Sequence, residues 1–349
     1  LLAEVAAAVA AAKNITTPMA YQVGTQTQAV ATSMLSGERK AVLLGNAAAQ
    51  HPQASVLLAL AGWIAEQCGA TVGYLGDAAN TVGAQLVGAV PQRGGLSAAQ
   101  MLSQPMKALL LLDVEPVLDA ADAAAAKAAL QGSGLVVALT AFKDAAVDNA
   151  DVLLPIAAFA ETSGTFVNAE GRAQSFVGVV PPAGEARPAW KVLRVLGNLL
   201  GLDGFAQESS EEIRAEALGD LSQLAARLDN STPVAAAGAV VAGSPAGALE
   251  RVADVPIYAA DSLVRRAASL QLTADARPPV VGLSSTLWAE LKLGAGDTVL
   301  VSQGQAAVVL PAREDASLAP RAVRVAAGHP ATVALGPLFG PLTVDKAGT

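Results

Sequence analysis

The sequence predicts an α/β protein: a mostly parallel sheet with flanking helices, followed by a small β-barrel. Three observations predict it. Short apolar runs alternate with helical stretches through the first half of the chain. Those runs are mostly continuous rather than alternating, which suits strands buried on both faces. Past a stretch rich in small residues, glycine and proline, short strands recur with glycine turns between them.

Composition sets the limits. The 349 residues suffice for about two or three domains. Hydrophobic residues make up 53% and charged residues 15%, so a large core is available and wholesale disorder is excluded. Aromatics are only 3%, so alanine, valine and leucine must build that core. The net charge is -8. An acidic surface repels phosphate, which makes nucleic acid and anionic lipid poor partners. The one cysteine, Cys68, cannot form an intrachain disulfide, a cysteine-rich zinc site or an iron–sulfur cluster. It reads as a small buried apolar residue near a helix end. His51 and His329 each precede proline and read as turn or surface hydrogen-bonding residues.

Taken in order, residues 1–13 read as an alanine-rich helix cut out of something longer. The start has neither methionine nor the basic region of a signal peptide. Strands are expected at 41–44, 71–75, 108–112, 135–140 and 152–156, with helices at 54–68, 118–130 and 145–150. Strand, helix, strand in this repetition gives a Rossmann-like, mostly parallel sheet. Ligands of such sheets sit at the carboxyl ends of strands. Those ends read Gly45-Asn46, Gly76-Asp77, Asp113-Val114-Glu115-Pro116 and Thr140-Ala141. None is a G-x-G-x-x-G fingerprint or a P-loop.

Residues 161–164 read as a tight turn, and 165–167 and 172–176 as two strands joined by Asn168-Ala169-Glu170-Gly171. A helix over 188–200 places Trp190, Leu193, Leu196 and Leu200 on one face, and Gly201 stops it. Another helix is expected over 209–228. Residues 229–250 carry no charge between Asp229 and Glu250 but hold two prolines and many small residues. They read as an interdomain linker, not a membrane span. Beyond it, 261–270 and 284–291 read as helices, and 298–302, 306–311, 322–325 and 332–335 as strands. Trp63, Trp190 and Trp288 are expected as core anchors. The expected division is an α/β domain over 1–205, helix and linker over 206–254, and a barrel over 255–349.

Candidate chemistry is sparse. Glu161, Glu170 and Arg172 either form an acid–base or anion-binding cluster or brace the hairpin through turn amides. Bracing is the commoner use of such residues. Thr162, Ser163 and Thr165 have no histidine base nearby, and no G-x-S-x-G occurs, which argues against nucleophilic catalysis. Asp113 and Glu115 could hold a metal, but are expected to favour the N-terminus of the following helix. Arg265-Arg266 is expected on a solvated or interface face.

One run is more specific. Glu161-x-x-Gly164-Thr165-x-x-Asn168-x-Glu170-Gly171-Arg172-x-Gln174, after Ala150-Asp151-Val152-Leu153-Leu154-Pro155, resembles the motif of the molybdopterin oxidoreductase family. Gly184-Glu185-Ala186-Arg187-Pro188-Ala189-Trp190-Lys191 narrows the likeness. With Tyr258, Asp261 and Arg265-Arg266, and with Gly340-Pro341-Leu342-Thr343-Val344, it is similar to the large iron–sulfur subunit of the respiratory NADH:quinone oxidoreductase, complex I. Gly294-Ala295-Gly296-Asp297-Thr298-Val299 is similar to the turn entering that family's dinucleotide-binding barrel.

The resemblance implies a fragment of the formate dehydrogenase/DMSO reductase-like fold, with a double-psi-like barrel. It implies [2Fe-2S] and [4Fe-4S] clusters in a preceding N-terminal part, and no cofactor or metal on this chain. It implies as partners that iron–sulfur half and other peripheral-arm subunits, without nucleic acid or direct membrane insertion. The implied place is peripheral, on the cytoplasmic side of a bacterial inner membrane. Glu161, Gly164, Thr165, Asn168, Glu170, Gly171 and Arg172 carry over as a vestigial fold motif and not as catalytic groups. The family commonly has a Gly-x-Asn-Pro stretch near the dinucleotide, where this chain reads Leu112-Asp113-Val114-Glu115-Pro116. Two carboxylates there would repel phosphates by about 1 kcal/mol or more per close pair. The implied role is a scaffold. The rivals are the back half of an active molybdopterin oxidoreductase, with its metal ligand upstream, and a stand-alone scaffold with no redox role.

Overall fold

Alanine is the strongest helix former and carries no side-chain entropy cost, and the chain begins by exploiting both properties. In the computed structural model, which describes residues 1–76, 78–144, 146–229 and 247–347, a helix spans Leu2–Lys13 and ends on Asn14 in the left-handed region, φ 53°. Its buried Val5, Ala6, Ala8 and Val9 pack with Ala31 of helix Thr25–Ser36 and with Leu60, Ile64 and Cys68 of helix Ala54–Cys68. Strands β1 (Ala41–Leu44) and β2 (Thr71–Tyr74) pair in parallel, with helix Ala54–Cys68 as the crossover between them. Gly69, at φ 62°, ends that helix. These elements belong to one compact unit made of Leu1–Gly83, Val167–Arg172 and Gln223–Gly243.

The second unit comprises Ala84–Phe166, Ala173–Ser222 and Ser244–Thr349. Its α/β part is a parallel sheet of β3 (Leu109–Leu112), β4 (Val136–Thr140) and β5 (Val152–Pro155), in that order. Helix Ala123–Gly132 crosses from β3 to β4, and its Leu130 packs on Leu109 and Val136. The Asp122 carboxylate accepts from the Ala125 amide at 3.0 Å and so starts this helix afresh. For that reason the helix expected over 118–130 is two: Pro116–Asp119 and Ala123–Gly132. The helix expected at 145–150 is a turn over 146–149, because so short a run cannot repay helix nucleation. Among the described residues the parallel strands form two sheets, β1–β2 and β3–β4–β5, where the sequence reads as one. Burial on both faces holds best for central β4, while Leu43, Tyr74, Leu110, Leu112 and Val152 of the other strands are exposed.

Strands β6 (Gly164–Val167) and β7 (Ala173–Phe176) form a two-stranded sheet. Helix Ala189–Leu199 follows, with Pro188 immediately before it. Gly197 lies beneath the Phe205 ring, which stands 2.5 Å from where a Cβ would be. Leu200, expected on the buried face, is exposed just past the helix end. Helix Ser210–Leu218 is shorter than expected, since Gly219 at φ 65° stops it and single turns of 3-10 helix follow.

The barrel closes from β8 (Leu249–Val252), β9 (Val281–Leu283), β10 (Thr298–Gln303), β11 (Ala306–Glu314), β12 (Ala322–Val325) and β13 (Phe339–Lys346). The strand order is β10-β11-β9-β12-β8-β13 and closed. Pairs β9–β11 and β8–β12 are parallel, and the remaining pairs antiparallel. Strict alternation in β10 sends Val299, Val301 and Gln303 inward. Val281, Leu283, Leu310, Val323, Val325 and Val344 complete much of the core, with Trp288 packed on it. Residues 332–335, expected as a strand, form a turn in which the Thr332 and Val333 amides donate to the His329 carbonyl. The expected linker lies outside the described residues over 230–246, but its last part contributes β8 to the barrel.

Arg251 on β8 points into the barrel and is 1% exposed. Among the described residues, its guanidinium has no carboxylate partner. It donates to Gln303 Oε1 at 3.0 Å and to the carbonyls of Gly336 (2.9 Å), Pro337 (3.2 Å), Ala326 (3.2 Å) and Val325 (3.5 Å). Burial lowers its pKa to about 10, so the group is charged at neutral pH.

Candidate functional site

The two places singled out in the sequence are the hairpin motif and the acidic strand end. Glu161, Gly164, Thr165, Asn168 and Gly171 each have a local structural task in the hairpin. Glu161 Oε2 accepts from the Ala158 amide at 3.1 Å, closing a single 3-10 turn. Gly164 gives room to Phe176, whose ring would lie 2.6 Å from an added Cβ. Phe176 stacks with Phe159 and Phe166 at centroid distances of 4.9 and 5.2 Å. Thr165 Oγ1 and Ser175 Oγ share a hydrogen bond of 2.9 Å across the sheet.

Asn168 shapes the turn. Its Oδ1 accepts from the Glu170 and Arg172 amides, both at 3.0 Å, while its own amide donates to the Arg172 carbonyl at 3.2 Å. Gly171 adopts φ 79° and lies with its Cβ position 2.8 Å from Ala225 Cα, so no side chain fits there. Glu170 and Arg172 stand 3.9 Å apart with side chains 75% and 71% exposed. A solvated pair of this kind contributes little. Glu161 thus accepts from a turn amide, whereas the exposed Glu170 and Arg172 side chains pair with each other in solvent.

The strand end is the more charged place. Asp113 follows β3 in the left-handed region, φ 50°. Partial burial raises its pKa, and Asp261, Glu115 and Asp119 push it the same way. Glu115 precedes helix Pro116–Asp119, as expected, but its carboxylate is committed elsewhere. Glu115 Oε2 accepts from Arg265 Nη1 at 2.7 Å, and Glu115 Oε1 lies 2.6 Å from Arg266 Nη2. Arg265 also pairs with Asp119. Arg266 donates to Asp144 through Nε and Nη2, at 3.1 and 2.6 Å, and its guanidinium lies 4.6 Å from the Phe142 ring centre. Burial alone would lower the Arg266 pKa, but Asp144 and Glu115 outweigh it and hold it above its ordinary value.

Arg265 and Arg266, expected on a solvated or interface face, are thus mostly buried within an ion-pair network. The Glu115, Arg265 and Arg266 side chains are 9%, 11% and 21% exposed. Sequence reasoning missed this network because its partners are separated by 122 to 150 residues. The available signal was the coincidence of acidic residues at two strand ends with the only adjacent arginine pair in the chain. A cavity of about 320 Å³ adjoins the network, lined among others by Tyr258, Gln271, Arg277 and His329. His329 Nδ1 accepts from the Ala331 amide at 3.0 Å, and His51 Nδ1 from the Gln53 amide at 3.0 Å, so both histidines hold turns. Among the described residues, no three His, Cys, Asp or Glu side chains are placed to hold a metal ion.

Parallel strands with crossover helices, a closed six-stranded barrel and the braced Glu161–Arg172 hairpin define a class. The family model for molybdopterin oxidoreductases matches residues 9–199, more than half of the chain, and the chain belongs to that family. Among curated proteins it is 30% identical to the G subunit of the NADH-quinone oxidoreductase of Mycobacterium bovis over 225 residues, 61% of this chain and 26% of that protein. It is 32% identical to the assimilatory nitrate reductase catalytic subunit of Bacillus subtilis over 126 residues, 35% of this chain and 18% of that protein. The chain therefore spans about a quarter or less of the curated relatives it matches. The solved structure of acetylene hydratase from Pelobacter acetylenicus aligns with a TM-score of 0.49 at 16% identity, over 75% of this chain and 46% of that one.

Proposed function

We propose that this chain is a scaffold segment of the peripheral arm of a bacterial NADH:quinone oxidoreductase, with no chemistry of its own. The observation that carries this reading is the strand end. A family dinucleotide would bring phosphates to it, and the residues present do not fit phosphates. Asp113, Glu115, Asp119 and Asp144 are acidic, and the two arginines among them are already paired. At an effective dielectric near 20, like charges about 4 Å apart repel by about 4 kcal/mol. Glu161, Gly164, Asn168 and Gly171 of the hairpin support the same reading, since their contacts close turns and make room for neighbouring groups.

The likeness to the mycobacterial NADH-quinone oxidoreductase protein also extends over 61% of the chain, against 35% for the nitrate reductase. In this proposal, [2Fe-2S] and [4Fe-4S] clusters in the N-terminal part of a longer polypeptide relay electrons from NADH towards quinone, and this segment packs beside them. Its partners are that part and other peripheral-arm subunits, on the cytoplasmic side of the inner membrane. Exposed apolar residues on the sheets, among them Leu43, Tyr74, Leu110 and Leu112, supply surface of the kind that partners cover. No helix among the described residues is long and apolar enough to cross a membrane.

A second reading is favoured by the 32% identity to a nitrate reductase catalytic subunit: the back half of an active molybdopterin oxidoreductase. Metal and pterin analysis of the intact protein, purified with its partners, separates the two. Iron without molybdenum or pterin, together with NADH dehydrogenase activity, is expected. Stoichiometric molybdenum and pterin would overturn the scaffold reading.

A further inference from the structure

Open parallel sheets bind ligands in the crevice outside the carboxyl ends of their strands. In the β3–β4–β5 sheet that crevice is bordered by Asp113 and Glu115 after β3 and by Phe142 and Asp144 after β4. The chain itself fills the place with charge. Asp261 Oδ1 caps the short helix Ser262–Arg266 by accepting from the Leu263 and Val264 amides, both at 2.9 Å. The cap fixes where the last two residues of the helix stand. Arg265 reaches Glu115 and Asp119, and Arg266 reaches Glu115 and Asp144. Their remaining donors are used inside their own segment: Arg265 Nε donates to the Ala259 carbonyl and Arg266 Nη1 to the Ser262 carbonyl, both at 2.9 Å. Phe142 covers the flat face of Arg266. Glu115 bridges both guanidiniums and is the hub of the arrangement.

We infer that Arg265 and Arg266 are a built-in occupant of the crevice beyond β3 and β4, locking residues 261–266 over the strand ends and excluding phosphate-bearing ligands. Two features make the arrangement a lock and not a vacant anion site. Every guanidinium nitrogen of both arginines already has a protein acceptor. The three carboxylates that hold them would also face any incoming phosphate. Partly buried pairs of this geometry are strongly destabilised when one partner is removed, because the other charge is left without compensation. The inference deepens the cofactor-free reading proposed above, and its failure is separable from that reading's failure. NADH dehydrogenase activity and metal content test the scaffold role, whereas the measurements below test the lock.

The experiment compares three proteins in the full chain: the unaltered protein, Arg265→Ala/Arg266→Ala, and Glu115→Gln/Asp119→Asn/Asp144→Asn. Amide hydrogen exchange is followed at residues 109–113 and 261–266, and binding of inorganic pyrophosphate, ADP and GDP is titrated. The unaltered protein is expected to bind none of the three. The arginine variant should exchange at both segments at least about tenfold faster, since both lose the same pairs, and should still bind no phosphate. The carboxylate variant should gain pyrophosphate binding, because two guanidiniums are then free. Saturable binding of any probe by the unaltered protein would overturn the inference. So would unchanged exchange in the arginine variant, or no gain of binding in the carboxylate variant. If the arginine variant fails to fold, Arg265→Lys/Arg266→Lys keeps the charge and loses the forked geometry. Exchange faster than the unaltered protein at both segments then supports the lock, and equal exchange overturns it.

Discussion

Replacing Arg251 by methionine tests whether a buried charge with no counter-ion holds the barrel together or weakens it. Four of its contacts, to Gln303, Gly336, Pro337 and Ala326, are 3.2 Å or shorter. Nη1 has two protons for three of these acceptors, so the four contacts amount to about three hydrogen bonds, which at roughly 1.5–3 kcal/mol each from a charged donor contribute roughly 4.5–9 kcal/mol net of water. Against this stands the buried Nε, which has no hydrogen-bond partner and costs roughly 2 kcal/mol. Methionine would recover about 2 kcal/mol through its own apolar burial. The balance leaves the variant less stable by about 3 kcal/mol. Urea unfolding followed by the fluorescence of Trp288, which packs on the barrel core, measures it. A variant as stable as the parent, or more stable, would refute the argument that carbonyl dipoles outweigh the missing counter-ion. The comparison also has a pH signature. Below pH 10 the guanidinium is charged in folded and unfolded chains alike, and the difference between the two proteins is flat. From the folded value of about 10 up to the ordinary arginine value, the unfolded chain binds the proton more tightly. Raising the pH there removes a penalty, so the parent should gain on the variant.

Gly171→Ala should destabilise by about 2–3 kcal/mol, since it combines a positive φ with a Cβ against the Ala225 backbone. A melting temperature within a degree of the parent's would refute this. Asn168→Ala leaves two turn amides without their acceptor and should cost about 1–2 kcal/mol, read as faster proteolytic nicking between residues 168 and 172. Glu170→Ala, which removes only an exposed pair, should change stability by less than about 0.5 kcal/mol; a larger loss in denaturant unfolding would show that the pair matters. Asp113→Asn should raise the melting temperature at pH 7. The folded state raises that carboxyl's pKa, so its contribution is full below the unfolded value and is lost as pH rises through the folded one. Asparagine also tolerates the left-handed backbone. The gain should vanish in acid, and a gain that persists there would have another cause.

The parallel strands were legible because continuous runs such as Leu109–Leu112 and Val136–Thr140 permit little else between helices. Helix Ala54–Cys68 was legible to the residue, since Gly69 supplies a left-handed stop. Length misled where local capping intervened, at Asp122 and at Gly219. β13 was hidden because Gly340 and Pro341 look like a turn, although Gly340 at φ 118° sits within a paired strand. Exposure of Leu110 and Leu112 was hidden too, because an apolar side chain carries no sign of whether this chain alone covers it. At the motif, Asn168 and Gly171 showed a turn through short-range chemistry. The Arg265–Arg266 network showed only its separate charges, because ion pairing across 146 residues leaves no local trace of which of them meet.

The barrel has a consequence for the order in which this polypeptide can fold as it leaves the ribosome. Leu249, in the first stave, pairs with Leu342 in the last, and its other neighbour, β12, also comes late. Until β12 has been synthesised, β8 has no strand beside it, and Arg251 has none of the carbonyls at Val325, Ala326, Gly336 and Pro337 that accept its protons. Pairings so distant along the chain form slowly and leave unpaired edges exposed in the meantime. A nascent chain stalled between residues 252 and 322 would therefore carry an open, charged half-barrel, a natural target for chaperones and proteases.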